Sequence, residues 1–148
     1  MFCSIDTGVI SLTNRYVTWQ IKNFSAVPLT VNSEIRSPQF VYDSNWYTLV
    51  IWPRGLIGCG SEEWFGVCLY KDGDHRSSDS VQFSIVNGQG TVKTCTVECS
   101  ANNTFMEEKF MEWSDFHSII HKVAPNGCLT MVCKLPMERR EEERRQGK

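Results

Sequence analysis

The stretch Asn45-Trp46-Tyr47-Thr48-Leu49-Val50-Ile51-Trp52-Pro53-Arg54-Gly55 constrains the fold more than any other part of the chain. Side chains alternate along a strand, so Trp46, Thr48, Val50 and Trp52 share one face and Tyr47, Leu49 and Ile51 the other. Both faces are apolar, which is the pattern of a central strand covered on two sides. Pro53 removes a ladder donor and Gly55 frees the backbone to turn, so the strand stops there. On this reading Trp46 is a core residue, and truncating it to alanine unfolds the domain through lost core volume.

Runs of the same kind recur between Gly, Pro, Asn and Asp. They cover Arg15 to Ile21, Glu34 to Phe40, Trp64 to Tyr70, Ser80 to Asn87, Val92 to Cys99 and Cys128 to Leu135. In the Trp64 run, Phe65, Val67 and Leu69 face one way and Trp64, Cys68 and Tyr70 the other, so neither face is plainly solvated. Asn87-Gly88 supplies a hairpin signal between the Ser80 and Val92 runs. The pattern predicts an all-β fold, an antiparallel β-sandwich of about eight strands. One short helix precedes the last strand: Ser114 is its cap, Asp115 suits its first turn, and Phe116, Ile119, Ile120 and Val123 repeat at helical spacing. Pro125-Asn126-Gly127 ends it.

A chain of 148 residues suits one domain with a core large enough to fold without staples. The apolar runs delimit it to residues 15–136, with an N-terminal arm at 1–14 and a charged tail or linker at 137–148. The tail contains Glu138-Arg139-Arg140-Glu141-Glu142-Glu143-Arg144-Arg145, which has no apolar face to bury. Formal net charge is only -2 and the basic residues before the tail are scattered, so neither nucleic acid nor an anionic membrane is an expected partner. The first residues show no basic region followed by an apolar core, and no apolar run nears the roughly 20 residues that cross a bilayer. The expected location is cytoplasm or nucleus.

The seven cysteines Cys3, Cys59, Cys68, Cys95, Cys99, Cys128 and Cys133 are odd in number and lack zinc-ligand spacing. They read as reduced, mostly buried apolar residues. Asn23-Phe24-Ser25 and Asn102-Asn103-Thr104 match a glycosylation acceptor pattern that matters only in a secreted chain. His117 and His121 stand four apart on the predicted helix, but no Glu occupies the zinc-protease position between them, and a surface helix explains the pair. No Cys-His-Asn signature accompanies any cysteine. No metal, no cofactor and no enzymatic activity are expected.

The landmarks Trp19-Gln20-Ile21-Lys22-Asn23-Phe24-Ser25, Ser37-Pro38-Gln39-Phe40, Trp46 through Gly55 and Phe83-Ser84-Ile85-Val86-Asn87 follow one another in a recognisable order. From about Arg15 to Leu135 the chain resembles the MATH (meprin and TRAF-homology) domain, most like that of speckle-type POZ proteins. The resemblance implies an eight-stranded antiparallel sandwich, in agreement with the strand pattern. It also implies a module that holds an extended, Ser/Thr-rich peptide of a substrate protein in a shallow groove. In that family a following BTB domain recruits a cullin ubiquitin ligase, which this chain would do only with a BTB domain supplied elsewhere.

The resemblance further assigns groove residues. Anchored on Phe116, the segment Lys109-Phe110-Met111-Glu112-Trp113 matches the family's groove-lining stretch, with Lys109 a donor to the peptide and Trp113 a flat apolar wall. Met111 stands where close relatives have tryptophan, Cys68 where they have tyrosine and Val81 where they have phenylalanine, so the peptide specificity differs. Tyr70, on the same strand face as Cys68, restores an aromatic nearby. Trp113→Ala is thus expected to weaken binding with little loss of stability. The alternatives are a free-standing MATH module that competes for or scaffolds substrates, and a TRAF-like signalling scaffold. The second lacks support in residues 1–14, which carry no heptad pattern.

Overall fold

The computed structural model describes residues 4–6, 8–24, 30–57, 63–72, 79–100 and 104–136. Their strands are β1 (Ser4–Asp6), β2 (Val9–Thr13), β3 (Tyr16–Ile21), β4 (Glu34–Arg36), β5 (Phe40–Tyr42) and β6 (Asn45–Trp52). There follow β7 (Trp64–Asp72), β8 (Ser80–Asn87), β9 (Gly90–Glu98), β10 (Thr104–Glu112) and β11 (Leu129–Lys134). The first sheet runs β1-β4-β6-β7-β10, with β5 also paired to β6; the second runs β2-β3-β11-β8-β9. All pairings are antiparallel except that of β1 with β4. The fold is an all-β sandwich.

Its core is built by alternation. Register places Val17, Cys133, Phe83 and Cys95 in one inward row of the second sheet and Leu49, Leu69 and Phe105 in one of the first. Trp19, Phe65, Phe83 and Phe105 are fully buried between the sheets, each adding roughly 1.5–3 kcal/mol of burial free energy. On β6 the inward residues are Tyr47, Leu49 and Ile51. Trp46 lies on the opposite face and is 50% exposed, so the expectation that it is a core residue is corrected. The strand's two apolar faces made either choice compatible with the sequence; only pairing decided it.

Eleven described strands exceed the eight or so expected, for three local reasons. The segment read as an arm pairs into both sheets, as β1 and β2. Gly8, between them, has φ +94, and a Cβ there would sit 2.5 Å from Trp19 Nε1, so only glycine passes. The single run Glu34 to Phe40 is split by Pro38 into β4 and β5 along the same strand β6. Ser37 bridges the break: its N–H donates to Leu49 O (2.8 Å), and its buried Oγ accepts from Leu49 N–H (2.9 Å) while donating to Pro38 O. The third reason is β10, taken from the sequence only as a groove-lining stretch.

The predicted helix forms as two pieces, α1 (Trp113–Ser118) and α2 (Ile120–Val123), followed by a 3-10 turn at Pro125–Gly127. Ser114 is not the cap; Glu112 holds that position with no side-chain bond. Ile119, at φ -118 and ψ 23, breaks the helix between the pieces. α1 is anchored by Phe116, fully buried against Phe65 (4.7 Å between ring centroids) and Phe24 (5.8 Å). The hairpin at Asn87-Gly88 forms one residue later than its signal, with Asn87 paired to Gly90. Past β11 the chain is tied down by Arg15, whose Nε and Nη2 donate to Leu135 O, and by Tyr42, whose hydroxyl donates to Pro136 O at 2.8 Å. The tail, Cys3 and Cys59 lie outside the described residues.

Candidate functional site

The outward face of the first sheet is apolar. Its rows follow from register: Arg36, Val50, Cys68 and Met106 in one, Thr48, Tyr70 and Thr104 in the next, then Trp46 between Val41 and Asp72. Val50 and Cys68 are fully buried and Trp52 is 4% exposed, with Leu56, Tyr70 and Met106 packed over them. These residues make a second, smaller core outside the main one. Trp52 Nε1–H donates to Glu34 Oε1 at 3.2 Å, and Arg36 Nε–H to Glu34 Oε2 at 2.6 Å, so the Glu34 carboxylate beside this layer accepts a hydrogen bond on both oxygens.

Burial controls the titration of this face. It pushes the Cys68 thiol up to about 12; the hydrogen bond from Tyr70 opposes the shift and the Glu34 charge adds to it. Tyr70 is pushed up to about 12, first by burial, then by Cys68. At neutral pH both keep their protons, and Cys68 is a covered thiol, not a nucleophile.

Toward the Trp46 end the face opens into a shallow recess of about 310 Å³ bounded by Trp46, Thr48, Tyr70, Arg36 and Gln39. Trp46 is 50% and Val41 46% exposed, an uncovered apolar pair directly opposite each other. At the opposite, Trp52 end of the face the loop after β6 is held by Asn32, which donates its N–H to Gly55 O (2.8 Å) and accepts from Ile57 N–H on Oδ1 (2.8 Å), and Leu56 packs against the face.

At the β10 side the ladder is interrupted. Glu107 pairs with Val67 and Met111 with Phe65, so four steps on β10 match two on β7. The bulge lies over Gly66, where a Cβ would come 3.3 Å from Glu108 O and 3.4 Å from Trp52 Cε3. Bulging turns Lys109 outward, its Nζ 5.7 Å from the centre of the Trp64 ring.

The six groove residues named from the sequence therefore separate. Cys68 and Tyr70 lie on the outward face and Lys109 reaches its rim. Met111 packs toward the main core, because its register partner Phe65 is an inward residue. Trp113 also packs on the core: its ring stacks on Phe116 (5.6 Å), meets His117 (5.5 Å) and is faced by the Arg54 guanidinium (5.6 Å), which pairs with Glu63. Val81 is 1% exposed between the sheets, on the same strand face as Phe83 and Ile85, and presents no surface to a peptide. Sequence reasoning missed Val41, Trp46, Val50, Trp52, Leu56 and Met106 as residues of this face. The two-sided apolar pattern of β6 was a signal for Trp46, Val50 and Trp52 alone.

Elsewhere the titratable groups are dispersed. Ile119 separates the helices that carry His117 and His121, and both residues are exposed. Among the described residues no group of three or more His, Cys, Asp or Glu is placed to hold a metal, and no helix is long and apolar enough to cross a membrane. The five described cysteines are all free, and burial raises Cys95 to about 11 and Cys133 further. No family model and no curated protein matches this chain.

Proposed function

We propose that this chain is a MATH-like protein-interaction module that binds short extended peptides of other proteins across the outward face of its first sheet. The observation that carries this reading is the apolar character of that face, with Trp46 and Val41 uncovered beside the recess at Tyr70. A flat sheet face with a shallow recess suits an extended chain better than a compact small molecule, which needs enclosure. Trp46 supplies a rigid aromatic platform at low entropic cost, and the Thr48, Gln39 and Tyr70 side chains offer hydrogen bonds to peptide hydroxyls and amides.

The partners are substrate proteins recognised through Ser/Thr-rich linear motifs, and the role is substrate recognition for a cullin-type ubiquitin ligase once a BTB domain is supplied. The order of landmarks from Trp19 to Asn87 supports that role, and the sandwich architecture is compatible with it. The module works by binding in the cytoplasm or nucleus, without cofactor or catalysis. The high thiol pKa values of Cys68, Cys95 and Cys133 favour binding over thiol chemistry.

The test is a display selection of random peptides on the folded protein, with Trp46→Ala as the control surface. A shared motif that the variant no longer enriches is the expected result. Enrichment that survives both Trp46→Ala and Tyr70→Ala, or no enrichment at all, overturns the assignment of the face.

A further inference from the structure

The sheet edges of this sandwich are not protected alike. β1 is three residues long and β2 five, while β10 is interrupted by its bulge and carries Glu107, Glu108, Lys109 and Glu112. Short, bulged and charged edges resist pairing with a further strand. β9 has none of these features over most of its length. It is nine residues long, and its ladder with β8 is regular from Lys93 to Glu98. Thr94-Cys95-Thr96-Val97 is uncharged, β-prone and free of proline. Among the described residues no strand pairs with its outer edge, although β10 of the facing sheet approaches β9. A regular edge of this length is a template for strand addition.

Side-chain parity says what can add there. Residues directly opposite in an antiparallel pair point to the same face, and on β9 Cys95 and Val97 point inward while Thr94 and Thr96 point outward. A second β9 satisfies parity when the two-fold axis passes through a residue. With the axis at Cys95, Thr94 faces Thr96 of the second copy, Lys93 faces its Val97 and Cys95 faces its Cys95. No like charges oppose in this register, and the Thr–Thr pairs extend a hydroxyl row that already joins Ser84 Oγ to Thr94 Oγ1 at 3.0 Å. The contact is isologous, so it closes at two copies.

We propose that the chain forms a two-fold dimer by antiparallel pairing of β9 with β9 of a second copy, joining the two five-stranded sheets into one continuous sheet. An axis perpendicular to that sheet leaves both first sheets on the same side. Resting on the reading of their outward faces as peptide sites, the dimer then presents two such sites pointing the same way. It engages a partner carrying two motifs with higher avidity than either site alone.

Sedimentation velocity of the full chain across a concentration series tests the pairing without any peptide, and so separates its failure from failure of the peptide-site reading. The wild type is expected to pass from monomer to dimer, with amide exchange of residues 93–98 slowing as dimer forms. Thr94→Lys/Thr96→Lys, which sets lysines of the two copies against each other, is expected to weaken the dimer at least tenfold while keeping the thermal midpoint of the monomer. Thr18→Lys, on β3 and distant from β9, leaves association unchanged. A wild type that stays monomeric throughout, a dimer indifferent to the β9 lysines, or equal loss in Thr18→Lys overturns the proposal.

Discussion

Outward from the second sheet, register lines up Thr13, Tyr16, Lys134, Gln82 and Thr96 in one row and Ser11, Thr18, Val132, Ser84 and Thr94 in the next. Outward from the first, the central row reads Arg36, Val50, Cys68 and Met106. None of those ten residues of the second sheet is buried; Val50 and Cys68 of the first are fully so. The two sheets share one main core and have opposite exteriors. A sandwich needs only its inner faces to be apolar, so the second sheet's exterior follows the default and the first sheet's does not. The excess apolar surface on one exterior, partly covered by Trp52, Tyr70 and Met106 and left open at Trp46, is what locates the candidate site.

The contrast is broken most sharply by a charge. Val50→Asp places an unpaired carboxylate in a fully buried position and is expected to cost about 3–5 kcal/mol. Thr18→Asp, on the other exterior, is expected to cost less than about 1 kcal/mol. Urea unfolding of both variants reads the difference, and equal losses would mean that the first sheet's exterior is not a packed layer.

A smaller effect separates two tryptophans. Trp113→Ala removes a ring stacked on Phe116 and is expected to cost roughly 2–3 kcal/mol, whereas Trp46→Ala removes a half-exposed ring and costs about 1 kcal/mol or less. This reverses the order expected from sequence. Thermal or chemical denaturation checks it, and comparable midpoints would return Trp113 to the surface.

The smallest effect is absent at neutral pH. Cys68 and Tyr70 titrate near 12 in the folded chain, above ordinary values of 9.0 and 10.0. Their folded-state pKa values are raised, so the unfolded chain loses these protons first as pH rises. Stability from the two groups is complete below about pH 9 and declines from there toward pH 12. Cys68→Ser/Tyr70→Phe should flatten that decline. An unfolding midpoint that falls identically in variant and wild type between pH 9 and 12 would show that the pair does not govern it.

Much of the architecture was legible because alternation is a local property. The cores of β3, β8 and β11 were readable from period-two patterns, and Phe116 from helical spacing. The failures have a common cause. Where a strand was apolar on both faces, as in β6, the pattern located the strand without saying which face turned inward. Where a run lacked alternation, as in β2 and in the bulged β10, pairing rather than propensity made the strand. The residues named for the groove separate in the structure, with Val81 buried and Met111 and Trp113 partly buried against the main core, because type and spacing do not specify whether a side chain points into or out of a sandwich.

The sequence by itself determined the all-β class, the positions of the principal strands and the residue types available to a core, since each depends on neighbours along the chain. Only the tertiary structure decided that Trp46 is surface and Trp113 is packed, that Cys68 is covered, and that one exterior is apolar while the other is solvated. Those outcomes depend on which strands lie side by side and in what register. A shift of one residue turns every side chain to the opposite face, and partners that fix the register, such as β6 with β7 or β3 with β11, are far apart in the sequence.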